Sequence, residues 1–303
     1  MNLCVPASPE LMSTKRIGIG DGWQAYDCLC RAGPHDRPSA EQQADVSVAM
    51  VVSGTFTFRS THGSALLTPG TLLLINARVE FECRHEHAVG DRCISFHYTP
   101  SFLGSVAAAL PASRIDFTRH RVPMLPELVS LFAEVTGLAW QPHPLRLEEI
   151  AVTLAVVSLQ KSADQEYGAP RCVAEDVGRS TAVVEFIEKH YAQPMSLSRL
   201  AAHCGLSRFH LLRIFRRAVG VTPYQYLIRT RVVEAAHRLW STRTNVSEIA
   251  LESGFNDLSE FVRRFRRHFG VSPKQYRAER ASFVANTPAV HTPALPARSC
   301  STL

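Results

Sequence analysis

GFNDLSEFVRRFRRHFGVSPKQYR, residues Gly254 to Arg277, places a phenylalanine every four residues at Phe261, Phe265 and Phe269 and fills the gaps with arginine. That period describes a helix with one apolar face and a basic face opposite. The same punctuation occurs upstream in CGLSRFHLLRIFRRAVGVTPYQYL, Cys204 to Leu227, where Gly205 matches Gly254, Phe215 matches Phe265 and Pro223 matches Pro273. The offset is 49 residues at the glycines and 50 from the phenylalanines onward, so the second copy carries one extra residue in its turn. Two copies at this spacing are a duplicated unit, not a solenoid.

Each unit reads as a short helix, a tight turn and a second helix. In the first copy Leu197, Leu200 and Ala201 lead to Gly205, and Leu211, Ile214 and Phe215 then resume at helical spacing. In the second copy Val246, Ile249 and Ala250 lead to Gly254 before the phenylalanine series. Both are helix-turn-helix patterns. Asn245 with Glu248 and Asp257 with Glu260 have capping-box spacing. Thr222-Pro223-x-Gln225 and Ser272-Pro273-x-Gln275 set a cap before a proline at the first helical position, where its missing N–H costs nothing.

Charge follows the same division. Residues 171–280 hold 19 Lys+Arg against 10 Asp+Glu, a net +9, which leaves −3 for the rest of a chain whose total is +6. Arginine far outnumbers lysine there, and its planar fork suits phosphate oxygens and guanine edges. With these residues in view, 180–280 resembles the double helix-turn-helix DNA-binding domain of the AraC/XylS family of transcription regulators. The resemblance rests on two motifs joined by Pro223 to Ser241 and ending in GVSPKQYR. It implies a sequence-specific DNA-binding transcription regulator, activator or repressor, with RNA polymerase as a candidate partner, and not an enzyme.

The inward sets of the two second helices leave their other faces to DNA. Residues expected at base edges are Arg208, Phe209, Leu212 and Arg213 on the first and Leu258, Ser259 and Arg263 on the second. The family resemblance places readers at Phe209, Leu212 and Arg213. Arg213 suits a guanine, and Phe209 a thymine methyl. Arg216, Arg217, Arg266 and Arg267 are expected on phosphates. The helix starting at Pro223 is expected to hold the two readers about 34 Å apart, one DNA turn, with Arg229, Arg231 and Arg238 on its surface or in salt bridges.

A length of 303 residues allows about two domains. The first residues, MNLCVPASPELMSTK, contain no apolar core of a secretory signal, and the longest strongly apolar run, Ile150 to Leu159, is too short for a bilayer. The resemblance implies a cytoplasmic protein, and in that reducing compartment the eight cysteines are expected as thiols or ligands, not staples.

Residues 17–98 read as strands: Val46–Val52, Gly54–Arg59, Ser64–Leu67, Thr71–Asn76, Val79–Arg84 and Cys93–Tyr98, separated by turn residues. Leu67-Thr-Pro-Gly70 before Leu72-Leu-Leu-Ile75 resembles the cupin-like effector domains that precede AraC-type DNA-binding domains, and such barrels can enclose a ligand. The fold class expected is α+β: a cupin-like β-barrel with two following helices, then an all-α domain with two helix-turn-helix motifs. The expected boundaries are 1–161 for the regulatory domain, 162–179 for a linker, 180–280 for the DNA-binding domain and 281–303 for a disordered tail.

Within the barrel, CRHEHAVGDRC, Cys83 to Cys93, is the most chemically loaded segment. Cys83, His85 and His87 share strand parity. With Val89 and Gly90 at a hairpin tip, Cys83 would face His97 and His87 would face Cys93. Five soft or borderline ligands, Cys83, His85, His87, Cys93 and His97, would then suit zinc or another transition metal. Thiol oxidation and plain packing are the other readings, and Cys28-x-Cys30 and His62 read as structural. A metal-dependent cupin enzyme fused to a DNA-binding module is the alternative function; the enzyme signature, however, has its HxH upstream of the PxG turn. Helices are expected over Leu125–Trp140 and Leu145–Lys161. The second carries a stripe, Leu147, Ile150, Ala151, Leu154 and Val157, available to its own barrel or to a homodimer partner.

Overall fold

Val46 to Val51 are buried without interruption, which an antiparallel strand shows only when both faces of its sheet are covered. In the computed structural model, which describes residues 11–38, 40–61, 63–110, 115–137, 144–162 and 173–278, that strand is β4 (Val46–Gly54), inside a six-stranded sheet. The order is β1 (Met12–Gly20), β2 (Trp23–Cys30), β9 (Asp91–Tyr98), β4, β7 (Leu72–Ile75) and β10 (Arg121–Val122). A four-stranded sheet, β3 (Ala40–Gln42), β8 (Glu80–Arg84), β5 (Phe56–Ser60) and β6 (Gly63–Leu67), completes the β-domain, and the ladders are antiparallel.

Alternation sorts the large sheet. Val48, Met50, Leu72, Leu74, Ile94 and Phe96 belong to a core shared with helices. Ala49, Val51, Leu73, Ile75 and Cys93 pack with Phe56, Phe58 and Phe81 of the small sheet. The helices on the outer face are α1 (Pro100–Ala108), α2 (Val129–Gly137) and α3 (Pro144–Ser162). α1 was not expected; Thr99 caps it and Pro100 occupies its first turn, a start signal legible in Thr99-Pro100. The stripe of α3 is used by its own domain: Leu147, Ile150, Ala151 and Leu154 are buried in the shared core. Leu145 and Val152 stay exposed on its outer side.

The helical half begins earlier than expected. α4 (Ala174–His190) starts inside the segment read as linker, and residues 163–172 of that segment, residues 279–303 with the expected tail, Trp140, His62, Cys4, Cys172 and Cys300 lie outside the described residues. α5 (Leu197–His203) and α6 (Arg208–Val219) form the first motif, α8 (Val246–Glu252) and α9 (Leu258–Phe269) the second, and α7 (Pro223–Ser241) joins them. Thr222 and Gln225 complete the capping box of α7 reciprocally, and Asn245 and Asp257 cap α8 and α9. The first turn of α7 gives Tyr226 and Leu227 to the first motif's core, and the turns after it give Val232, Ala235, Ala236 and Leu239 to the second.

Candidate nucleic-acid interface and barrel cavity

The two second helices are built alike. In α6, Ser207 accepts from His210 N at 3.2 Å, Leu211, Ile214 and Phe215 are buried, and Gly220 ends the helix at φ 90° with its N–H on Arg216 O. In α9, Asp257 accepts from Ser259 N at 2.8 Å, Phe261 and Phe265 are buried, and Gly270 closes at φ 75°. Every side chain expected at bases or phosphates therefore stands on the outer face. Arg208, Phe209, Leu212, Arg213, Arg216 and Arg217 are exposed on α6, and Leu258, Ser259, Arg263, Arg266 and Arg267 on α9. Phe209 is 81% exposed, a position for a large aromatic ring that monomer packing does not explain. Among the described residues Arg213, Arg263, Arg266 and Arg267 form no ion pair with the protein. Arg264 differs: it reaches Glu260 and lies over the Tyr224 ring at 5.8 Å, tying α9 to α7.

Arginines of α7 hold the fold together. Arg231 donates from Nε to Tyr191 O at 2.7 Å and from Nη2 to Gln193 O at 2.9 Å, closing the C-terminal end of α4. Arg238 pairs with Glu252. Arg229, expected near the surface, is buried, and its guanidinium donates to Met124 O of the β-domain. Burial lowers its pKa to about 10, against the pull of Glu127. Arg121 of β10, also buried, donates to Leu66 O and to Ala218 O at the end of α6. Thr136 Oγ1 and His237 Nε2 meet at 2.6 Å across the same seam. The β-domain thus grips the first motif's second helix and the connecting helix α7.

Beside that seam, Tyr226 donates to Glu188 at 2.8 Å. Burial, helped by Glu234 and Glu185, outweighs this bond and pushes the Glu188 carboxyl up to about 7. Its folded pKa lies above the ordinary 4.5, so its stabilising contribution is complete below pH 4.5 and is lost as pH rises through 7. Glu188→Gln is expected to match the wild type in urea denaturation near pH 4.5 and to exceed it by about 1–3 kcal/mol at pH 8. An unchanged difference across that range would show that Glu188 does not titrate there.

The loaded barrel segment is arranged otherwise than the hairpin expectation. β8 and β9 lie in different sheets, and residues 85–90 cross between them at a corner where Gly90 (φ 71°) bonds Ala32 O. Cys93 therefore faces Cys28, His97 faces Gln24 and Ser47, and Cys83 faces Phe58. Parity still holds for Phe81, Cys83 and His85, which line the interior. It breaks at His87, which is exposed and lies against Gly178 of α4. Of the five expected ligands, Cys83, His85, Cys93 and His97 line the same interior, and His87 leaves the group.

The space between the sheets is a cavity of about 320 Å³. Its walls include Tyr26, Cys28, Cys30, Glu41, Cys83, His85, Asp91, Cys93 and His97. Burial pushes the Cys28 thiol up to about 12 and those of Cys83 and Cys93 up as well, which keeps them protonated and poorly nucleophilic. Glu41 rises to about 7 through burial and the charge of Asp91. His85 Nε2 stands 2.6 Å from Asp91 Oδ1. Burial opposes its imidazolium, but Asp91 and Cys30 outweigh that and raise it to about 9. Cys30 and Asp91 were not among the residues expected here. The equal parity of Cys28 and Cys30 was the available signal for the first; for Asp91 it was its place inside CRHEHAVGDRC.

A family model described as a helix-turn-helix domain matches residues 200–279. The "HTH-type transcriptional activator AarP" of Providencia stuartii is 37% identical over 95 residues, which cover 31% of this chain and 70% of AarP. The activator RhaS of Klebsiella pneumoniae (strain 342) is 31% identical over 147 residues, covering 48% of this chain and 51% of RhaS, so the chain spans about half that relative's length. Among solved structures, the DNA-binding domain of AdpA in complex with a target DNA is 31% identical, with 36% of this chain and 98% of that chain covered and a TM-score of 0.35.

Proposed function

The chain belongs to the AraC/XylS family of transcription regulators, and from that premise we propose that it reads a two-part operator with α6 and α9 and answers to an effector held in the barrel. The observation that carries this is the pair of second helices, alike in their buried faces, with Arg213 on one and Arg263, Arg266 and Arg267 on the other in no ion pair among the described residues. Arg208, Phe209, Leu212 and Arg213 address one major-groove segment, and Leu258, Ser259 and Arg263 the next. Arg216, Arg217, Arg266 and Arg267 hold phosphates. The cavity between the sheets supports effector binding, and the Arg121 and Arg229 contacts supply a route from barrel to reader. An effector shifts operator binding only if it favours one arrangement of the two halves over another. Activation in contact with RNA polymerase, a cytoplasmic location and the absence of turnover follow from the same reading. A homodimer would use the outer side of α3, at Leu145 and Val152, because its main stripe is covered.

Selection of genomic fragments by the full-length protein at fixed salt tests this. Arg213→Ala and Arg263→Ala are each expected to cost about 1–3 kcal/mol at one base position, in different halves of the motif. Arg266→Ala should instead weaken all sequences alike and reduce the salt slope by about 1. An unchanged sequence preference in both reader variants would remove these assignments.

A further inference from the structure

Cys30, His85 and Asp91 bring a thiol, an imidazole and a carboxylate to one point, their candidate ligand atoms all within 4.8 Å of one another. The three come from separate elements: Cys30 ends β2, Asp91 opens β9 and His85 follows β8. Both sheets therefore contribute, and the point lies in the wall of the cavity. The His85 and Asp91 side chains are only 3% and 10% exposed. An ion pair withdrawn from water gains little over apolar packing unless further partners satisfy it. Here the additional partners are sulfur. Cys93 Sγ donates to the second oxygen of Asp91 at 3.1 Å, and Cys30 is the third member of the group, its Sγ accepting from Ala32 N at 3.4 Å. Packing alone does not call for a thiol, an imidazole and a carboxylate aimed at one point.

We propose that Cys30, His85 and Asp91 form a zinc site open to the barrel cavity, and that its occupancy sets the position of residues 85–90 against α4. The proposal rests on the regulator reading for its consequence but not for its chemistry. Thiolate, imidazole and carboxylate are the donors zinc takes, and three protein ligands with a fourth position open is the arrangement of sites that exchange a ligand. Sulfur in the set selects against magnesium and calcium. On binding, Cys30 gives up its thiol proton and the ion takes the place of the proton held between His85 and Asp91. Cys93 beside Asp91, the Ala32 N–H on Cys30 and the Phe56 ring 5.9 Å from His85 steady the ligands. The fourth position faces the cavity, where water or a donor atom of a small effector completes the sphere.

The route to DNA is short. The zinc would tie the start of the 85–90 crossing to the end of β2, and His87, two residues on, has its ring where a Cβ on Gly178 of α4 would stand 2.9 Å away. α4 packs on α6 in the first motif.

The experiment measures zinc per chain in purified full-length protein after dialysis, and the spectrum of the Co²⁺ form, with binding to the selected DNA fragment followed in the same samples. One zinc per chain and a thiolate-to-cobalt charge-transfer band are expected. Both should be lost in Cys30→Ser and Asp91→Asn and kept in Cys83→Ser and His87→Ala. His87→Ala should keep the metal but lose any zinc-dependent change in DNA binding. Substoichiometric metal in the wild type, or retention in both Cys30→Ser and Asp91→Asn, overturns the site. Loss in Cys83→Ser with retention in Cys30→Ser overturns it too, by placing the ligands elsewhere. Wild-type protein that binds the fragment without taking up zinc overturns the metal proposal and leaves the regulator standing. Metal uptake without fragment binding does the reverse. Circular dichroism of each variant separates loss of a ligand from loss of the fold.

Discussion

Phe265→Ala is expected to destabilise the protein by about 3–5 kcal/mol and to erase one half of its DNA footprint. The ring is fully buried and stands 5.6 Å from Phe261, 4.4 Å from Phe269 and 5.3 Å from Tyr276, measured between centroids. It is the centre of the second motif's aromatic cluster, and α7 and α8 close over that cluster with Val232, Leu239 and Ile249. Removing it leaves a cavity that rigid helices cannot collapse around. The loss is a large share of a typical domain's stability of about 5–15 kcal/mol, and α9 carries the proposed readers Leu258, Ser259 and Arg263 on the same helix. Urea denaturation measures the first effect, and footprinting on the selected operator the second. The half-site assigned to α6 in the proposed reading should persist, because Phe215 sits in a different core, with Val183, Leu211 and Tyr226. A cost below 1 kcal/mol with an intact footprint would mean that the cluster repacks and does not organise the motif.

The two turn glycines, equivalent in the sequence repeat, should respond unequally to alanine. Gly205 has φ 64° and nothing within 4 Å of where a Cβ would stand. Gly205→Ala therefore costs only the left-handed backbone, about 1–2 kcal/mol. Gly254 has φ 87°, and its Cβ would meet Ala192 O at 2.9 Å and the Arg231 guanidinium at the same distance. The carbonyl cannot move without moving the end of α4. Displacing Arg231 also breaks its bonds to Tyr191 O and Gln193 O, charge-assisted hydrogen bonds worth about 1.5–3 kcal/mol each. The two bonds and the left-handed backbone together give an expected cost of about 4–8 kcal/mol for Gly254→Ala. Equal costs for the two variants, measured by denaturant midpoint at constant slope, would show that α4 yields to the added methyl group.

The helical half was legible because its rules are local. Caps at Thr222, Asn245 and Asp257, the turn glycines Gly205 and Gly254 and the spacing of Phe261, Phe265 and Phe269 depend on neighbours within one or two turns. Those neighbours also settle which arginines of α6 and α9 face out, whereas Arg229 of α7 is buried by a contact distant in sequence, with Met124 O of the β-domain. β1 and β2 were harder to see. β1 is mostly solvent-exposed, and β2 carries cavity-facing Tyr26, Cys28 and Cys30 in place of an apolar alternation.

By itself the amino-acid sequence determined two helix-turn-helix motifs, their outward basic faces, a strand-rich half before them and a chemically dense segment from Cys83 to Cys93. Only the tertiary structure decided which residues of that segment meet. Strand parity orders side chains along one strand, but the partner of each strand depends on how the chain crosses between sheets, here through the corner at residues 85–90. That crossing sends His87 to α4 and closes Cys30, distant in sequence, onto His85 and Asp91. Local chemistry acts over a few residues, whereas sheet pairing is set by long-range burial of both faces at once.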